Sequence, residues 1–336
     1  MHPAPRAVVA TVGAVALLAA CSGGAAKKTG TLGLRAISDI ALPGDTSRFD
    51  YASLDASRHR LFVSHLGASQ IVVVDTDKLT VERTLDKVPS VHGVLVVPAL
   101  NRLYAAATGT DQAVTYDATS LKQLNRVSTG RAPDGLAYDP DASAVFLSNE
   151  AGSTVTEIDA TTGAHRAEID VGGEPGNVAY DPTSKHVLVD VQSRGDLVVI
   201  DPAARRVLER HALPGCDHDH GLQIDPAHNR AFVACDGNAA LLEVDITTFT
   251  ITATLQTGTD PDVLTLDPAR SRLYVLAESG VATVIDTSAR PATLVARATL
   301  AGGAHSGTVD PNSHRLYVPI AELNGHPVLR VLTPNP

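Results

Sequence analysis

Six of seven positions at a nearly constant spacing hold the side chains of this sequence best suited to binding a cation. The seven are Asp50, His92, Asp134, Gly176, His220, Asp262 and His305, separated by 42, 42, 42, 44, 42 and 43 residues. Each stands five residues before an Asp-Pro or its equivalent, and all but Gly176 are Asp or His. Neutral imidazoles combined with carboxylates suit Zn²⁺, Mn²⁺, Fe²⁺ or Cu²⁺, whereas an all-oxygen set would point to Ca²⁺ or Mg²⁺. The expected arrangement places His92, His220 and His305 on one ion. Asp134 and Asp262 then serve as further ligands or as acceptors that fix the imidazole tautomers.

Other polar residues recur near the same positions. Ten residues after the hairpin-turn Asp of their repeats stand His65, Asn149 and Cys235, and one step later come Glu150, Asp236 and Glu278. The fifth repeat carries two extra residues within Cys216-Asp217-His218-Asp219-His220. Asp50, His65, Glu150, His218, Asp236 and Glu278 are therefore rim candidates around the proposed ligands, and the ring itself is expected at the rim, with little core burial. Two other readings remain open: a wet polar channel whose His and Asp pair with each other and with water, and a small-ligand pocket without metal.

These residues can meet only if the repeat is a closed structural unit. A period of 40 to 50 residues built from four short strands specifies a β-propeller, in which each repeat is one blade and equivalent positions ring a central axis. The third repeat shows the pattern. Gly135 to Tyr138 reads as the inner strand, Ala144 to Ser148 as the second, Thr154 to Ile158 as the third and His165 to Val171 as the fourth. The last repeat runs out after three strands, and the orphan strand Leu34 to Leu42 supplies its fourth. That pairing closes a seven-bladed, all-β ring and hides the edges an open sheet would expose.

Two further Asp series belong to turns. Asp75, Asp117, Asp159, Asp201, Asp245 and Asp286 end third strands, and Asp55, Asp139, Asp181, Asp225, Asp267 and Asp310 open the first hairpin turns. Asp at such places accepts backbone N–H groups. The ring alternates between His and Asp, so turn chemistry does not account for it. His59, His165, His186, His211, His228, His314 and His326 fall in turns or outer strands and are read as solvated, while Tyr104, Tyr138, Tyr180, Tyr274 and Tyr317 follow core spacing.

Composition narrows the partners. A formal net charge of −10 leaves no basic field for phosphates, and 4% aromatic content without Trp leaves few stacking platforms, so nucleic acid is excluded. No nucleophile elbow, phosphate loop, zinc-protease helix or dinucleotide fingerprint occurs. The expected organisation is a signal segment over 1–20, a tether over 21–31 and one propeller over 32–336. The run Leu18-Ala19-Ala20-Cys21 resembles a bacterial lipobox, which implies cleavage before Cys21, a lipid on its thiol and an extracytoplasmic protein anchored to the cell membrane. In that oxidising compartment, Cys216 and Cys235 fall at the same rim of one antiparallel pair. A disulfide is expected there in preference to metal ligation or free thiols.

Phrases such as Asp225-Pro226…Arg230-Ala231-Phe232-Val233-Ala234 and Asp310-Pro311…Arg315-Leu316-Tyr317-Val318 resemble the YVTN-type repeat of the YncE-like seven-bladed propellers. The resemblance covers nearly all of the chain after the tether. It implies the fold but not one function, because related propellers include carriers of binding surfaces, lactonases and a metal-dependent streptogramin lyase. The chain departs from the usual repeat in filling its variable slot mainly with His and Asp. Three classes follow: a lipid-anchored monomer binding a metal or small ligand at its channel mouth, a metal-dependent lyase or lactonase using Glu150, Glu278 or His65 as base, and a protein-interaction scaffold for an envelope partner. The first is the expected class, and an enzyme is the less favoured one.

Overall fold

A computed structural model describes residues 1 and 31–336; the expected signal segment and Cys21 lie outside the described residues. The chain forms seven antiparallel sheets of four strands each, arranged as the seven blades of a β-propeller. Blade 1 runs through Ala52–Asp55, Arg60–His65, Gln70–Asp75 and Thr80–Asp86, from the axis outward, and blades 2 to 6 repeat it in sequence order. Blade 7 takes Thr308–Val309, Leu316–Leu323 and His326–Pro334 from the C-terminus and Leu34–Ala41 from the N-terminus. The closing pair is antiparallel, from Leu34 opposite Pro334 to Ala41 opposite Val328, as the orphan strand requires.

Because each blade is covered on both faces, its second and third strands read as near-continuous apolar runs rather than as alternating ones. The period of two then sorts the side chains between neighbours. In blade 1, Phe62 packs toward blade 2, while Leu61 and Val63 pack toward blade 7. Among the described residues, seven apolar clusters result, each shared by two adjacent blades.

The basic residue that opens many second strands also has a structural purpose. Arg60 donates to the Ala118 carbonyl at 2.6 Å, Arg102 to Thr161 at 3.2 Å and Arg230 to Ala289 at 3.0 Å, each reaching a turn of the next blade. Arg230 is fully buried and also bonds Asp225 at 2.9 Å and Glu243 at 3.1 Å. The turn Asp residues accept backbone N–H groups as expected: Asp159 takes Thr161 at 2.9 Å and Thr162 at 2.7 Å. Cys216 and Cys235 form a disulfide with a Cα–Cα distance of 5.3 Å, tying the blade-5 insertion to the end of the second strand.

Candidate functional site

The ring positions stand where the innermost strand begins, and in four blades the ladder bulges there. In blade 5, Asp219 pairs with Cys235 and Gly221 with Ala234, leaving His220 as the extra residue. Asp262 is likewise extra between Pro261 and Val263, and His92 and Asp134 fall within the same kind of register shift. A bulge frees a residue from the ladder and re-aims its side chain, here toward the axis. The next residue lets the strands converge. A Cβ on Gly93 would lie 2.1 Å from the Asp134 carbonyl oxygen, and one on Gly221 would lie 2.2 Å from that of Asp262.

Two groups of ligand atoms converge. Asp50, His92 and Asp134 form one and Asp50, Asp262 and His305 the other, with the ligand atoms of each group within 4.8 Å of one another. Asp50 belongs to both. The ring lies deeper than a rim: Asp50, Asp134, Asp262 and His305 are buried, His92 and His220 half-buried, which corrects the expectation of little burial.

The three imidazoles are not equivalent. His92 Nδ1 lies 2.9 Å from the Ser90 carbonyl oxygen and donates to it, so that in the neutral ring the lone pair is on Nε2, 3.9 Å from Asp50 Oδ2. That is the arrangement of a metal-binding imidazole, with the second nitrogen held by an outer acceptor. His220 Nδ1 is 2.9 Å from Gln192 Oε1, and its Nε2 is 3.4 Å from Asp262 Oδ1. Burial works against charge on His220, but the bond to Asp262 and the charges of Asp262, Asp134 and Asp190 raise it well above the usual imidazole range. His220 thus faces Asp262 and Gln192 and stands outside both ligand groups. His305 places Nδ1 2.9 Å from the Gly303 carbonyl oxygen and 3.2 Å from Glu278, with Nε2 3.1 Å from the Phe49 carbonyl oxygen and 3.9 Å from Asp262 Oδ2.

The carboxylates report a shortage of positive charge. Asp50 Oδ1 and Asp134 Oδ1 are buried with no hydrogen-bond partner. Burial, then the charges of Asp262 and Asp134, hold Asp50 well above the usual carboxylate range. Burial chiefly raises Asp134 to about 7, with the charges of Glu150 and Asp262 adding to it and those of His220 and Arg48 opposing. Burial alone would raise Asp262 as well, but His220, His305 and Arg48 hold it low. A cation between these groups would satisfy the orphaned oxygens, so the donor set fits a divalent transition metal.

Above the ring is a cavity of about 180 Å³ whose wall includes Arg48, Glu150, Gln192, His220, Asp262 and Glu278. His218 and Asp236 join the same wall and pair with each other at 2.8 Å. His65 does not line this cavity. It is fully buried, stacked on Phe49 at a centroid distance of 3.9 Å and close to Ser47 Oγ at 3.2 Å.

Several members of the site escaped the sequence reading. Arg48 bonds Glu278 and lies 3.5 Å from Asp262 Oδ2, covering one side of the ring. Gln192, the partner of His220, sits eleven residues after Asp181 as Glu150 does after Asp139, so the rim spacing already contained it. Asp190 fills the gap at Gly176: a Cβ on that glycine would lie 2.7 Å from Asp190 Oδ1. Its signal was an Asp where other blades carry Ser64, Ser148 and Ala234. Tyr51 and Asn177 follow their ring positions, where His92, Asp134 and His220 are each followed by Gly. Asn177 Nδ2 donates to Tyr51 Oη at 2.8 Å across the axis. This contact lies at the head of a second chamber of about 230 Å³ lower in the channel.

No family model matches the chain, and no curated protein sequence matches it significantly. Among solved structures, a propeller chain from Kuenenia stuttgartiensis hydrazine synthase superposes with a TM-score of 0.72 at 17% identity, over 82% of this chain and 94% of that chain. At that identity the likeness concerns the fold alone: this chain is a seven-bladed β-propeller with candidate metal-binding carboxylate and imidazole groups on its axis.

Proposed function

We propose that this protein is an extracytoplasmic, lipid-anchored propeller of the YncE-like kind that binds a divalent transition metal at the axial ring. The observation that carries the reading is the meeting of buried, unpartnered carboxylate oxygens on Asp50 and Asp134 with the open Nε2 of His92. The Cys216–Cys235 disulfide supports an oxidising compartment. No helix among the described residues is long and apolar enough to cross a membrane, and the lipid expected at Cys21 would supply the attachment.

Metal content of the protein after mild purification, read by plasma mass spectrometry, tests the proposal. Wild type retains metal at neutral pH, and His92→Ala and Asp134→Asn reduce it. His314→Ala and His326→Ala, away from the axis, leave it unchanged. Absence of divalent metal from wild type, or equal behaviour of ring and control variants, overturns the reading in favour of a polar channel.

The cavity over the ring favours a second reading, a metal-dependent lyase or lactonase, because it leaves room for a small substrate beside Glu150 and Glu278. A bound ion would supply Lewis-acid polarisation of a carbonyl. Metal-dependent turnover of lactones, lost in Glu278→Gln with metal retained, separates this enzyme from a binding protein.

A further inference from the structure

The two ligand groups share one residue, and that sharing has a consequence for stoichiometry. We propose that the ring holds two divalent ions bridged by the carboxylate of Asp50, a dinuclear centre rather than the single ion that three imidazoles would surround. The inference rests on the metal-binding reading above and goes beyond it in the number of ions and in the assignment of ligands.

Each ion receives three protein ligands. One site takes His92, Asp134 and Asp50, and the other takes His305, Asp262 and Asp50. A carboxylate can serve both because it has two oxygens. Asp50 Oδ2 faces His92 at 3.9 Å, while Oδ1 is buried without a partner. Bridged ions in protein sites stand about 3.5–4 Å apart, and neither group needs more than 4.8 Å between its own ligand atoms. Blade order brings the groups together: Asp50 begins blade 1, between His92 of blade 2 and His305 of blade 7.

Outer partners already hold both imidazoles. The carbonyl oxygens of Ser90 and Gly303 each lie 2.9 Å from Nδ1 of His92 and His305, two residues back along the chain in both blades. This repeated contact directs Nε2 of each ring toward the axis. At His305 an ion would take the place of the contact between Nε2 and the Phe49 carbonyl oxygen. His220 takes no ion and stays paired with Asp262 and Gln192. With three protein ligands each, both ions keep coordination positions for water or a small ligand.

The test titrates metal-free full-length protein with Zn²⁺ by calorimetry and, separately, loads it with Cu²⁺ for electron paramagnetic resonance. Two equivalents of Zn²⁺ per chain and a half-field signal from coupled Cu²⁺ ions are expected. His92→Ala and His305→Ala should each keep one equivalent and lose the coupled signal, Asp50→Asn should weaken both sites, and His220→Gln should keep both equivalents. One equivalent in wild type overturns the dinuclear centre and leaves the single-ion reading standing. Two equivalents without magnetic coupling also overturn it, because the ions then occupy separate sites. No uptake overturns both readings. If Asp50→Asn fails to fold, the two His variants and the wild-type stoichiometry decide the matter alone.

Discussion

Removing the side chain of Ile40 tests whether the ring is held shut by its two ends. Ile40 lies opposite Leu329 in the closing pair, is 7% exposed, and packs with Leu42, Leu61, Val63 and Tyr317 between blades 7 and 1. Ile→Ala at such a core position costs about 2–5 kcal/mol, and a seam between two rigid sheets cannot collapse around the hole, so about 3 kcal/mol is expected. Unfolding entropy is about 2.1 cal/mol/K per residue, which for roughly 300 ordered residues turns that loss into a fall in Tm of about 5 °C. The control is Leu294→Ala on the outer strand of blade 6, where the side chain is 40% exposed, the change stays within about 0.5 kcal/mol and Tm moves by less than about 1 °C. Differential scanning calorimetry of the two variants reads the difference. Deletion of residues 31–44 extends the test by exposing the whole edge of His326–Pro334, and its loss should approach the stability of the domain. If Ile40→Ala and the deletion melt with wild type, the closure argument is refuted.

The Cys216–Cys235 bridge spans 19 residues, so its removal as the paired Ser variant should cost about 3 kcal/mol in urea unfolding; an unchanged midpoint would mean that hydrogen bonds alone hold the insertion. Gly93→Ala drives a Cβ into the Asp134 backbone, which no rotamer relieves, and should lower stability by about 1–3 kcal/mol and reduce metal retention, whereas Gly302→Ala, with open space around it, does neither. Asp159 is held at about 2 chiefly by the Thr162 backbone N–H with help from Arg166, and Asp245 at about 2 chiefly by the Thr247 hydroxyl. Both lie below the unfolded value of about 3.9, so their contribution is complete above about pH 5 and is lost as pH falls through about 2. Asp159→Asn and Asp245→Asn should therefore destabilise the protein at pH 7 and match wild type near pH 2 in denaturant titrations; a constant difference across that window contradicts the assignment.

What repeats along the chain was legible in it. A 42-residue interval fixes the blade, seven copies fix the ring, and a short last copy with an orphan N-terminal strand fixes the closure. The same interval brings Asp50, His92 and His305 to one axis, because equivalent positions of a closed array must face one another. The disulfide was legible for a similar reason, since antiparallel pairing places both cysteines at one rim.

Spacing locates a Cα but says nothing of which atoms a side chain meets, and that part was decided by segments that do not repeat. His92 and His220 occupy equivalent positions. Yet His92 donates to the Ser90 carbonyl and turns Nε2 toward Asp50, while His220 is caught between Gln192 and Asp262, whose charge raises it above the usual imidazole range. His65 shares the spacing of Asn149 and Cys235 but turns onto Phe49, which belongs to the loop after the closing strand. Arg48 comes from that same loop, and Asp190 reaches the axis because Gly176 leaves a space that only the packed inner strands define. Candidate ligand, counterion and filler are the same residue types at the same interval. Only the tertiary structure separates them, because protonation and coordination depend on which oxygens lie within about 3 Å of each nitrogen.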